Sequence, residues 1–197
     1  MPTTPKDPQL SPQLVVAAYR QGIFPMADEN GAISWYAPDP RAVFELDHFR
    51  VPSRLARTIR SGRFEVVVNR DFSGTMRACA ERPETWISDE IVAVYTALNR
   101  AGMAHSVESY REGRLVGGLY GVALGGAFMG ESMFSRERDA SKVALAFLVK
   151  RLQARGFVLL DTQFMTPHLA RFGACHIPLA DYLIRLEPAL ALPCRFD

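Results

Sequence analysis

The 197-residue chain predicts an α+β fold, in which a mixed, mainly antiparallel sheet is flanked by helices. Three observations carry that expectation. Residues 105–111, 115–123 and 127–134 read as three strands joined by tight turns at Glu112-Gly113 and Gly125-Gly126, an antiparallel meander. Residues 139–155 carry Val143, Leu145, Phe147, Leu148 and Leu152, with Gly156 just past the end, the mark of a helix with an apolar face. FVLLDTQ at 157–163 is a short apolar run that closes on a carboxylate, and reads as a buried strand.

The elements before the meander follow the same signals. Residues 1–12 are rich in Pro and Thr and are expected to be loosely held. A short helix starts near Ser11 or Pro12, with Leu14, Val15, Ala18 and Tyr19 at helical spacing, and stops around Gly22. Residues 22–44 are dense in turn formers, among them Pro25, Asn30-Gly31, Pro38 and Pro40. The two prolines around Asp39 stiffen the chain, so a boundary is expected near Pro40: a small N-terminal lobe over 1–40 and a larger domain over 41–197. Residues 52–61 predict a helix, 64–69 a strand, 71–82 and 88–101 two helices, the second capped by Ser88 and ended by Gly102. After FVLLDTQ, HLARFGA predicts a short helix and YLIRLEP a last strand.

Composition narrows the class. Hydrophobic residues make up 48% and charged residues 22%, as in ordinary globular domains. The net charge of +2 gives no global field for a polyanion, so any nucleic-acid affinity must come from a local patch. Cys79, Cys175 and Cys194 are odd in number and widely spaced, which predicts a reduced, cytoplasmic chain without a disulfide framework. No apolar run approaches the ~18 residues of a membrane span, and no signal-peptide h-region is visible. No HExxH or comparable His/Cys spacing occurs, so no metal is expected.

Several residues stand out chemically. Seven glycines fall within 113–130 without a GxGxxG or GxxxxGK pattern, so a phosphate loop is not predicted. Gly117, Gly118, Gly121 and Gly130 mark either close approach of a backbone or ligand, or turn-and-bulge usage. GESMF at 130–134 lacks the second glycine of a nucleophile elbow, which argues against Ser132 as a nucleophile. Glu131 sits in an apolar strand and requires a cation, either a substrate α-amino group or an Arg. Asp161 and Gln163 are two apart and share a strand face; they form either a functional pair or a strand-end cap. Arg54, Arg57, Arg60 and Arg63 recur every three residues with no acidic residue over 52–63, either a solvated face or a phosphate-binding patch.

The order meander, helix, strand resembles the acyltransferase fold of the GNAT superfamily, whose central strands splay to admit an acyl donor. The CoA-using members carry a Gly-rich pyrophosphate loop before the long helix. Here that junction reads SRERDASK, so a donor other than acetyl-CoA is expected. The words YRQGIFP, WYAPDPRAV, TWI, HSVE, LVGGLYGV, GESMFSR, DTQ and GACHIPLADYL, in that order from 19 to 186, resemble the leucyl/phenylalanyl-tRNA–protein transferases.

The resemblance implies transfer of Leu, Phe or Met from aminoacyl-tRNA to the α-amino group of proteins beginning with Arg or Lys. The new N-terminus would mark them for N-terminal-rule degradation. It implies no cofactor, because the ester is already activated, and a monomer. Asp161 and Gln163 match the family's catalytic pair, and Glu131 its glutamate near the donor amino acid. The side-chain pocket corresponds to Leu119, Phe128, Met133, Leu145, Leu148, Leu152 and Leu160. Trp86 matches an aromatic beside the terminal adenosine of tRNA. Met26 stands where many members carry a second Trp, and Trp35 or Tyr36 is the candidate to supply that ring.

Overall fold

The computed structural model describes residues 10–197. Helix α1 (Pro12–Tyr19) starts at Ser11, whose hydroxyl accepts the Leu14 N–H at 3.2 Å, and a hairpin of β1 (Phe24–Ala27) and β2 (Ile33–Tyr36) follows. Strand β3 (Arg41–Phe44) comes next, then α2 (Ser53–Arg60), β4 (Glu65–Val68), α3 (Phe72–Ala80) and α4 (Asp89–Arg100). The meander is β5 (Ala104–Arg111), β6 (Arg114–Leu124) and β7 (Ala127–Ser135). It leads to α5 (Ala140–Ala154), β8 (Leu159–Gln163), α6 (Pro167–Ala170), β9 (Ala174–Ile177) and α7 (Leu179–Ala191).

The fold is α+β, as the sequence predicts. Seven strands form one sheet in the order β4-β5-β6-β7-β8-β3-β9, and β1-β2 stands apart as a small second sheet. Every neighbour in the large sheet is antiparallel except β7 and β8, which run parallel. One face carries α1, α3, α4 and α7 around Tyr19, Met76, Ile91, Tyr95 and Tyr182. The other carries α5 and α2 around Leu55, Val143, Leu148 and Leu152.

Two glycines in β6 let layers meet. A Cβ at Gly117 would sit 2.5 Å from the Ala140 methyl at the start of α5, and one at Gly121 would collide with the Met129 carbonyl and the Phe128 ring. Close backbone approach is therefore the reason for glycine at both.

Three expectations are corrected. YLIRLEP is not a strand: it lies within α7, where Tyr182, Leu186 and Ala189 are buried while Leu183 and Ile184 face outward. Their spacings of four and three put the buried residues on one helix face, and Pro188, inside the helix, obscured that period. The edge strand is instead β9, from GACHIP, pairing with β3. The turn-rich stretch 22–44 holds β1, β2 and β3, each of four residues, too short to generate a readable alternation among so many turn formers. The expected looseness of residues 1–9 lies outside the described residues, whereas Leu10 is buried and donates its N–H to Glu90.

Candidate active site

Parallel pairing of β7 and β8 covers only Ala127↔Leu159, Phe128↔Leu160 and Met129↔Asp161. Beyond that point β7 stays paired with β6 and β8 with β3, and the two separate. A cavity of about 510 Å³ fills the gap, with Gly130, Glu131, Ser132 and Met133 on one side and Thr162, Gln163 and Phe164 on the other.

Its interior is mostly apolar. Leu119, Met133, Leu145, Leu148 and Leu160 line it from the sheet and α5, and Phe24, Met26 and Trp86 from the side of the hairpin. Met26 and Trp86 are brought together because the Ala27 N–H donates to the Trp86 carbonyl at 3.1 Å. Two residues expected on this wall are elsewhere. Phe128 sits where β7 is still paired and stacks on Phe196 at 5.3 Å; Leu152 lies one turn beyond Leu148 on α5. Both are fully buried core residues and neither lines the cavity. Of the two candidate substitute rings, Tyr36 stacks on Phe24 at 6.1 Å, and both Trp35 and Tyr36 are exposed on β2.

The polar edge is built on Asp161, which is fully buried. One carboxylate oxygen accepts Arg41 Nε–H at 2.9 Å and the Gln163 backbone N–H at 2.8 Å. The other accepts Arg41 Nη2–H at 2.6 Å and the Tyr182 hydroxyl at 3.0 Å. Arg41 is itself fully buried between the Phe24 and Tyr182 rings, 5.0 and 4.5 Å from their centroids, and donates to the Gly22 carbonyl at 3.0 Å. A desolvated carboxylate in which each oxygen accepts two hydrogen bonds is a fixed acceptor.

Asp161 therefore meets the backbone of Gln163, not its side chain. Gln163 adopts φ +55°, a left-handed conformation that costs a non-glycine residue about 1–3 kcal/mol and needs a partner to hold it. Its side-chain Nε2–H donates to Glu131 at 2.9 Å, which leaves the amide oxygen as an acceptor at the cavity wall. Removal from water pushes the Glu131 carboxyl up to about 8. The Tyr19 hydroxyl, Arg41 and Gln163 pull it back, while the Asp161 charge adds to the rise. No Arg bonds Glu131 among the described residues; the Tyr19 and Tyr95 hydroxyls, 2.6 Å apart, lie behind it.

On α2, Arg54, Arg57 and Arg60 are exposed and make no ion pair among the described residues. Arg63 lies beyond the helix, bonded to Glu137 at 2.8 Å and held over the Phe64 ring. None of the four lines the cavity.

Sequence reading missed Arg41, Tyr182, Phe24, Arg82 and His168. Arg41 carries no local signal of burial, and Tyr182 was hidden by the misread strand. Arg82 stands at the cavity rim, donating to the Cys79 carbonyl at 2.8 Å and to the Ser132 hydroxyl. His168 lines the α6 end; burial, with Lys142 and Arg171 nearby, lowers its pKa.

The family model described as leucyl/phenylalanyl-tRNA protein transferase matches residues 43–187, and the model of that family's N-terminal domain matches 8–39. A leucyl/phenylalanyl-tRNA–protein transferase of Rubrobacter xylanophilus is 57% identical over 95% of this chain and 99% of its own. That of Gloeobacter violaceus is 57% identical over 95% and 97%. That of Herpetosiphon aurantiacus is 58% identical over 95% and 98%. The chain belongs to the leucyl/phenylalanyl-tRNA–protein transferase family.

Proposed function

We propose that this protein transfers Leu, Phe or Met from aminoacyl-tRNA to the α-amino group of proteins whose N-terminal residue is Arg or Lys. The observation that carries this reading is one cavity in which an apolar interior meets a polar edge of Glu131 and Gln163, in a chain of this family. The product is a peptide bond, and the new N-terminus marks the acceptor for N-terminal-rule degradation. The protein acts in the cytoplasm as a monomer. No helix among the described residues is long and apolar enough to cross a membrane.

In the reaction the acceptor amine attacks the ester carbonyl carbon, the bond to the terminal ribose oxygen breaks, and a proton passes from nitrogen to that oxygen. Gln163 positions the amine through its side-chain oxygen. Asp161 is a positioning residue: all four of its acceptor positions are used, so it holds Gln163 and takes no proton. Alignment of two reactants can supply roughly 7–11 kcal/mol of barrier lowering, enough to make positioning the dominant contribution for an ester already activated. Glu131 stands beside the donor amino acid.

The donor side chain enters among Leu119, Met133, Leu145, Leu148 and Leu160. That wall suits unbranched-β side chains, and a misplaced methyl costs about 1–3 kcal/mol. Trp86 and Met26 form the bed for the terminal adenosine, and Arg54, Arg57, Arg60 and Arg63 offer charge to the tRNA backbone. No cofactor takes part in this scheme.

The test is transfer of radiolabelled Leu from charged tRNA to a peptide beginning with Arg, beside the same peptide beginning with Ala. Label on the Arg peptide alone supports donor class, reaction and acceptor rule together. Label on neither, with tRNA binding intact, overturns the reading.

A further inference from the structure

Among the residues lining the cavity, Arg82 is the one lysine or arginine. It lies in the loop between α3 and α4, before Trp86, and its backbone N–H donates to the Ala80 carbonyl at 2.7 Å. The side chain is exposed but held at two points. Its Nε–H donates to the Cys79 carbonyl at 2.8 Å, and an Nη2–H donates to the Ser132 hydroxyl on β7. The remaining N–H groups of the guanidinium have no partner among the described residues, and no carboxylate there pairs with it. Other arginines are committed elsewhere: Arg41 to Asp161, Arg77 to Asp89 and Arg136 to Glu81.

Both acceptors that hold Arg82 are neutral, so they orient the guanidinium without neutralising it, and its charge stays available at the cavity rim. Arg54, Arg57, Arg60 and Arg63 do not line the cavity, so an anion at its mouth meets Arg82. In the transfer reading the donor side chain lies among the leucines and the adenine on Trp86 and Met26. The 5′ side of the terminal ribose then emerges at the rim that Arg82 shares with Trp86. The group carried there is a phosphodiester, and the planar fork of N–H donors on a guanidinium matches its two free oxygens.

We infer that the Arg82 guanidinium binds the phosphate on the 5′ side of the terminal nucleotide of the donor tRNA, a charged contact at the cavity mouth apart from the apolar side-chain pocket. The inference rests on the transfer reading, because it takes the donor's terminal adenosine to lie on Trp86.

The probes are two amide-linked donor ends that cannot undergo transfer: 3′-leucylamido-3′-deoxyadenosine and the same molecule carrying a 5′-methylphosphate diester. They share side chain, amine and base, and differ only in the phosphate. Titration calorimetry should show the parent binding the phosphate-bearing probe about tenfold more tightly, the low end for a hydrogen bond to a charged group because the site is exposed. That preference should shrink with added salt. Arg82→Gln should erase it while leaving Tm and affinity for the phosphate-free probe unchanged, and Arg82→Lys, which keeps the charge without the fork, should retain part of it. Equal affinity of the parent for the two probes overturns the inference. So does an equal loss on both probes in Arg82→Gln, because the guanidinium would then only brace Ser132 and the loop before Trp86. A full preference surviving in Arg82→Gln gives the phosphate to another residue and overturns it too. Failure of the transfer reading registers separately, as absence of labelled product when the parent is given charged tRNA.

Discussion

Asp161→Asn is the sharpest perturbation of the site. The side chain keeps its shape, but one oxygen becomes an NH₂ donor. In either orientation it faces an Arg41 N–H, together with the Gln163 N–H on one side or the Tyr182 hydroxyl on the other, all of which donate. Arg41 is left fully buried without its counter-charge. Breaking one side of a buried pair costs about 3–5 kcal/mol. In a chain of this size each kcal/mol moves Tm by roughly 2–4 °C, so a fall of about 6–20 °C is expected. Arg41→Met combined with Asp161→Leu removes both charges, and should cost far less than either change alone because nothing charged remains desolvated. Transfer should stay lost in the double variant, since the Gln163 N–H has no acceptor and its left-handed conformation no anchor. Urea unfolding followed by circular dichroism reads stability, and single-turnover transfer reads function. A cost under about 1 kcal/mol for Asp161→Asn would refute the buried-pair reasoning. Recovery of transfer in the double variant would refute the positioning role.

Three further outcomes are expected. The Glu131 pKa is raised to about 8 from an ordinary 4.5, so the native state keeps a proton that the unfolded state has lost. Its contribution to stability is full below about pH 4.5, declines as pH rises toward 8 and is flat above; Glu131→Gln should abolish that decline, as Tm measured at pH 6 and pH 8.5 would reveal. Trp86→Ala should raise KM for aminoacyl-tRNA by about 5- to 150-fold if a base stacks there, the equivalent of about 1–3 kcal/mol. An unchanged KM removes Trp86 from the adenosine bed. Reversing Arg54 and Arg57 to Glu should weaken tRNA binding and flatten log K against log salt by about 0.7–0.9 for each phosphate no longer neutralised. Equal slopes in filter binding would make α2 an ordinary solvated face.

Legibility differed by element. The meander and α5 were readable because strands of eight to eleven residues and a helix of fifteen are long enough to express their periods. Strands β1, β2, β3 and β9, of four residues each among turn formers, are not, whereas the equally short β4 shows itself as the unbroken β-branched run VVV. Helix α7 failed for a different reason: Pro188 interrupts its period, and the short apolar run YLI suits a strand as well as a helix until Tyr182 and Leu186 pack on one face.

The sequence by itself determined the class of fold and the family, because those rest on local periodicity and on ordered words along the chain. Tertiary structure alone decided what Asp161 bonds. The sequence offered Gln163 as its neighbour, two residues away, whereas the guanidinium that neutralises it comes from Arg41, 120 residues earlier. That pairing follows from placing β3 beside β8, a choice made by the whole sheet. Phe128 and Leu152 are likewise core residues and not cavity residues because of how the layers pack, with Phe128 stacked on Phe196 near the far end of the chain, since burial belongs to the assembled layers and not to any segment.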